Sequence, residues 1–187
     1  LAHSMGGLVT RSAFHYGQAA GHRWPGRVAR IVFLGTPHDG APLERGGNWV
    51  DAVLDASPYT AAFARLGKLR SAGITDLRHG SVVDEDWGGK DRFARSTRAA
   101  VKRHFVPLPA GVKCFAVAAS LAKRAAPLGD GLVGDGLVPV PSALGKGRAP
   151  GADLAFPAGR HWIAYGMGHL DLLDRPAVYA RVRRWLA

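Results

Sequence analysis

Ser4 stands between Ala2 and Gly6, with Gly7 directly behind. A serine with small residues two positions to either side fits a nucleophile elbow, a sharp strand-to-helix turn that lifts the hydroxyl clear of a sheet. Glycine is usual at the flanking positions, and alanine is the permitted variant. A serine hydroxyl is a weak nucleophile at neutral pH. It needs a base within hydrogen-bond reach and a third group that orients the base. With an elbow of this kind the chain order is serine, acid, histidine. Two acids qualify, Asp130 and Asp135, each inside a Gly-Asp-Gly-Leu-Val copy that spans 129–133 and 134–138. Asp135 is preferred because Val138-Pro139-Val140-Pro141 stiffens the chain after it. Asp130 stays open, and both also read as ordinary turn aspartates. His169 is the matching histidine, in Gly166-Met167-Gly168-His169-Leu170-Asp171. His3 adjoins Ser4, but neighbours on a tight turn point apart. His161 falls inside an expected strand. The backbone N–H of Met5, next after the serine, is one expected oxyanion donor. With an imidazole as base, the rate of such a site rises across roughly pH 6 to 7.

These residues need a scaffold. Residues 6–20 are expected to form a helix, with Leu8, Ala13 and Tyr16 at helical spacing and Gly21 as its stop. Residues 28–34 read as a buried parallel strand ended by Gly35-Thr36-Pro37. Residues 112–119 are a second strand and 160–165 a weaker third. Residues 49–54 and 59–69 look helical, and 79–98 look like a polar excursion over the surface. Pro176 to Leu186 reads as a terminal helix with Val178, Val182 and Trp185 on one face. Alternating strands and helices indicate an α/β sheet covered on both faces. Catalytic groups then collect at the carboxyl ends of the strands.

Size and composition fit this picture. The 187 residues predict one domain with 47% hydrophobic and 21% charged content. No apolar run approaches the roughly 18 residues that span a bilayer. A lone cysteine, Cys114, excludes an internal disulfide and reads as a small core residue. The formal charge of +11 raises nucleic acid or anionic membrane as partners. The basic residues are dispersed and not interleaved with aromatics, so nucleic acid is discounted. Transient contact with a lipid interface stays open, as do compartment and oligomeric state.

Taken together, the motifs resemble the α/β-hydrolase superfamily, on its lipase and esterase side. The similarity is to the bacterial branch like GPI inositol-deacylase and triacylglycerol lipases. His3-Ser4-Met5-Gly6-Gly7-Leu8-Val9 looks like that branch's elbow. Leu34-Gly35-Thr36-Pro37-His38 looks like its strand-end signature. Asp135-Gly136-Leu137-Val138-Pro139 looks like the acid loop, and Gly168-His169-Leu170-Asp171 like the histidine loop. The resemblance implies Ser4 as nucleophile, His169 as general base and then acid, and Asp135 as its orienter. It also implies a carboxylic ester or lipid substrate, an acyl-enzyme route and no cofactor or metal.

It further implies a partial hydrolase domain over 1–187: the C-terminal part of the fold, a mostly parallel sheet with a helical cap insertion over 41–110. In this family several strands precede the elbow, and a loop among them supplies the second oxyanion donor. Loss of one donor costs about 10² to 10³ in rate. Missing strands would also leave an unpaired, aggregation-prone sheet edge. Within the cap, Trp49, Phe63 and Trp87 are candidates for an acyl pocket or for plain packing. Asp84-Glu85-Asp86 is read as an exposed acidic turn rather than a cation site. Two other classes remain open: a non-catalytic or truncated protein of this fold, and an acyltransferase, amidase or thioesterase using the same triad.

Overall fold

The computed structural model describes residues 1–41, 76, 79–88, 104–125, 134–147 and 150–187. Their centre is a four-stranded parallel sheet in the order β1-β2-β3-β4, formed by Ala2–His3, Arg30–Leu34, Lys113–Ser120 and His161–Tyr165. β2 and β3 are near-continuous apolar runs, as strands buried on both faces require. Register runs Ile31 beside Cys114 and Phe33 beside Ala116.

The two-residue alternation of strands sorts the core. Val32, Leu34, Phe115 and Val117 face a cluster with Leu172 of the short helix α3, Asp171–Asp174, and Val178 and Val182 of the helix α4, Pro176–Leu186. Ile31, Phe33, Cys114 and Ala116 face the other way, onto Phe14 of α1, Met5–Ala19. Ala118 packs with Ala143 of the short α2, Val140–Ala143. Helices therefore cover both faces. Phe33 is wholly buried, and side chains of this kind each stabilise by about 1.5–3 kcal/mol. Cys114 is buried as expected, and burial pushes its thiol up to about 11.

α1 is a helix where expected, but its buried face differs. Ala13 and Tyr16 are exposed, while Gly7, Leu8, Arg11, Phe14 and Gly17 are buried. Leu8 and Phe14 join apolar clusters, while the two glycines are buried by close approach. A Cβ at Gly7 would lie 2.1 Å from Thr36 Oγ1, and one at Gly17 would lie 2.8 Å from the Trp24 ring. Arg11 is buried with its guanidinium donating to the Val106 carbonyl.

The described part of the expected surface excursion is also different. Val82 and Val83 pack with Leu8 and Val106. Asp86 is buried, accepting from the backbone N–H groups of Val82 and His104 at 3.2 and 2.6 Å. Trp87 is buried and donates to Asp76 at 2.8 Å, so it packs rather than lining a cleft. The acidic turn is thus exposed at Asp84 and Glu85 but not at Asp86, which is satisfied from within. The expected helices at 49–54 and 59–69, with Trp49 and Phe63, lie outside the described residues, as do most of the 41–110 insertion and Asp130.

Candidate functional site

All four strands run the same way, so the segments leaving their carboxyl ends share one edge of the sheet. Ser4 follows β1, Gly35 follows β2, the loop carrying Asp135 follows β3, and His169 follows β4.

Ser4 joins β1 to α1 with φ 53° and ψ −130°. A side-chain-bearing residue held at positive φ costs on the order of 1–3 kcal/mol and persists only where its surroundings enforce it. Enforcement comes from both sides. The Ser4 N–H donates to the Leu34 carbonyl at 2.9 Å, and the Gly7 N–H donates to the Ser4 carbonyl at 3.0 Å. The tight position is Gly7, against Thr36. A Cβ at Gly6 meets no atom within 4 Å outside its own helix backbone, so crowding does not explain that glycine. Met5 is the first residue of α1, where an N–H has no intrahelical acceptor.

Asp135 and His169 are 3% and 4% exposed. His169 Nδ1 lies 2.6 Å from Asp135 Oδ2. A carboxylate only accepts, so Nδ1 carries the proton and Nε2 is left as the acceptor. That Nε2 is buried and has no hydrogen-bond partner among the described residues. The other Asp135 oxygen accepts from the Leu137 and Val138 N–H groups at 2.9 and 2.7 Å. The main chains are tied as well, His169 N–H to the Asp135 carbonyl at 3.1 Å and Met167 N–H to the Ser120 carbonyl at 3.0 Å. The carboxylate is therefore held on both oxygens before it meets the imidazole.

The imidazole packs between the His3 ring, next before Ser4, and Gly35 at the end of β2. His3 Nε2–H donates to the His169 carbonyl at 3.2 Å, and the two rings lie 4.6 Å apart. Across the sheet, Gly35 follows the Leu34 that holds the Ser4 N–H. Gly35 has φ 55°, and a Cβ there would come within 3.0 Å of the His169 ring. An open hollow of about 310 Å³, bordered by Leu137 and Leu170, leads to His169.

Sequence reasoning set His3 aside as a base and overlooked it as a support. Burial, reinforced by the neighbouring His169, lowers its pKa; its bond to the His169 carbonyl and the charge of Asp135 oppose that shift. The Gly-Thr-Pro-His stretch now has physical content. Gly35 makes room for His169, Thr36 is the surface against which Gly7 closes, and His38 is buried between Phe33 and Phe156. Ser142 ties this loop to α2, accepting from the Asp39 N–H at 3.1 Å and donating to the Gly40 carbonyl at 2.7 Å.

The arrangement presents an oriented imidazole whose Nε2 makes no hydrogen bond to Ser4 Oγ or to any other described group, near the strained turn that bears the serine. Chemically it can draw a proton from a hydroxyl and later return it. Among the described residues no group of three or more His, Cys, Asp or Glu is placed to hold a metal ion, Asp84-Glu85-Asp86 included.

Residues 1–107 match the family model described as PGAP1-like alpha/beta domain, and the chain belongs to that family, within the α/β-hydrolase superfamily. No curated protein matches the chain.

Proposed function

We propose that this PGAP1-like alpha/beta domain protein is a serine hydrolase that cleaves carboxylic esters, with Ser4, His169 and Asp135 as its triad. One observation carries the reading: a buried His169 whose Nδ1–H is held by Asp135 and whose Nε2 is free to accept, seated against the turn that bears Ser4.

In the first half-reaction Ser4 Oγ gives its proton to His169 Nε2 and attacks the ester carbonyl carbon. The carbonyl oxygen becomes an oxyanion, and the Met5 N–H is one donor to it. Collapse breaks the bond to the alcohol oxygen, which leaves with the proton from Nε2. The acyl group is now on Ser4. Water then gives a proton to Nε2 and attacks the acyl carbon. Collapse frees the carboxylic acid, and Ser4 Oγ recovers its proton. Asp135 keeps Nδ1 protonated throughout and stabilises the imidazolium without itself taking the proton.

Hydrolysis of a p-nitrophenyl ester by the chain and by Ser4→Ala tests the reading. Turnover by the parent and none by the variant is the expected result. Equal turnover by both overturns it.

A further inference from the structure

Beside the elbow lies a second cleft, of about 300 Å³, between α1 and residues 81–84. It runs from Met5, the residue after Ser4, to Tyr16, which is roughly 16 Å along the helix axis. The end near Ser4 is apolar, with Met5, Leu8 and Val9. The far end is rich in acceptors. The Tyr16 hydroxyl accepts from the Asp84 N–H at 2.8 Å and donates to Glu85 Oε2 at 3.3 Å. This bridge fixes two exposed acidic residues beside the end of α1.

Two features point to a ligand. Ser81 lines the cleft and is 4% exposed, yet its hydroxyl has no hydrogen-bond partner among the described residues. A buried hydroxyl is normally satisfied, so an unsatisfied one in a cleft wall marks a place for a bound polar group. In addition, the described lining holds no Lys or Arg although the chain carries a formal charge of +11. The charged side chains of that described lining are the acids Asp76 and Asp84.

We propose that this cleft selects the acyl group. It takes an ester whose acyl chain is apolar near the carbonyl and carries a cationic, hydrogen-bond-donating group, such as an ammonium, at its far end. The Met5 amide holds the carbonyl oxygen, so the chain attached to that carbonyl passes the Met5 and Val9 side chains. The distal N–H groups then meet Ser81 Oγ and the acidic residues at positions 84 and 85. This inference rests on the ester-hydrolase reading.

The test is a set of p-nitrophenyl esters of equal acyl length, long enough to span the cleft, ending in ammonium or in carboxylate. Each kcat/KM is taken relative to p-nitrophenyl acetate with the same protein. The parent is expected to favour ammonium by about three- to fivefold, the scale of exposed charge pairs, and 0.5 M salt should shrink the preference. Asp84→Lys with Glu85→Lys should invert the order, and the milder Asp84→Asn with Glu85→Gln should abolish it. Ser81→Ala should weaken the ammonium ester alone without lowering the thermal midpoint, since no bond is lost. Hydrolysis of the acetate with no charge preference in the parent, or a preference that survives both double variants, overturns the cleft inference alone. No hydrolysis of any ester, acetate included, overturns the hydrolase reading and this inference with it.

Discussion

Two histidines lie equally deep in this molecule and are built for opposite ends. His169 is 4% exposed and His38 is 5% exposed. His169 has a carboxylate on Nδ1 at 2.6 Å. Neither ring nitrogen of His38 has a hydrogen-bond partner among the described residues, and its ring sits between Phe33 and Phe156. Burial, and then the positive charge of Arg11, holds the His38 pKa well below the usual range. Burial alone therefore makes a neutral spacer. A buried carboxylate beside the ring makes an imidazole that can take up a proton in the course of a reaction.

The strongest way to break this contrast is to remove the carboxylate's charge. Asp135→Asn keeps the side-chain size but loses control of the tautomer, and kcat is expected to fall by about 10⁴. His38→Leu should leave kcat within a small factor of the parent. Comparable losses in the two variants would erase the distinction. A smaller effect is expected at Gly35, which lets His169 occupy its seat. Gly35→Ala forces a side chain to positive φ and against the imidazole, so stability should drop by about 2 kcal/mol. Activity should fall while Asp135 is untouched. Urea denaturation and ester turnover on one preparation check both. Smaller again, His3→Phe keeps a ring beside His169 but deletes its hydrogen bond to the His169 carbonyl. The loss is about 1 kcal/mol, or roughly fivefold if it is felt in kcat. It should be larger in kcat than in KM.

The smallest effect is the pH dependence of stability that His38 carries. The folded pKa of His38 lies below its unfolded value of 6.5. Below that pH the unfolded chain binds more protons than the folded one, so stability falls as pH falls. The contribution is fully present above pH 6.5 and is lost progressively on acidification. His3 shifts in the same direction and adds to the slope. Urea midpoints at pH 7.5 and 5 should differ less in His38→Leu than in the parent. An unchanged slope would remove His38 from the account.

Much of the fold could be read from patterns with one dominant cause. The apolar runs at 28–34 and 112–119 became β2 and β3, and Pro176 to Leu186 became α4 with Val178 and Val182 inward. The order of glycine-flanked loops pointed to Asp135 and His169, whose side chains meet. Other features were hidden because their cause lies across the fold. The buried face of α1 includes two glycines and an arginine, which no count of apolar residues selects. Asp86 looked like solvent-facing charge, yet backbone N–H groups from Val82 and His104 meet it inside. His3 was judged by its position in the turn, while its partner lies 166 residues away.

The central claim is that Ser4 is an activated nucleophile. It is tested most directly by intact mass after treatment with a fluorophosphonate probe, on the chain and on Ser4→Ala. A single adduct on the parent and none on the variant is the predicted result. No adduct on a cooperatively folded parent, or the same adduct on both proteins, would contradict it.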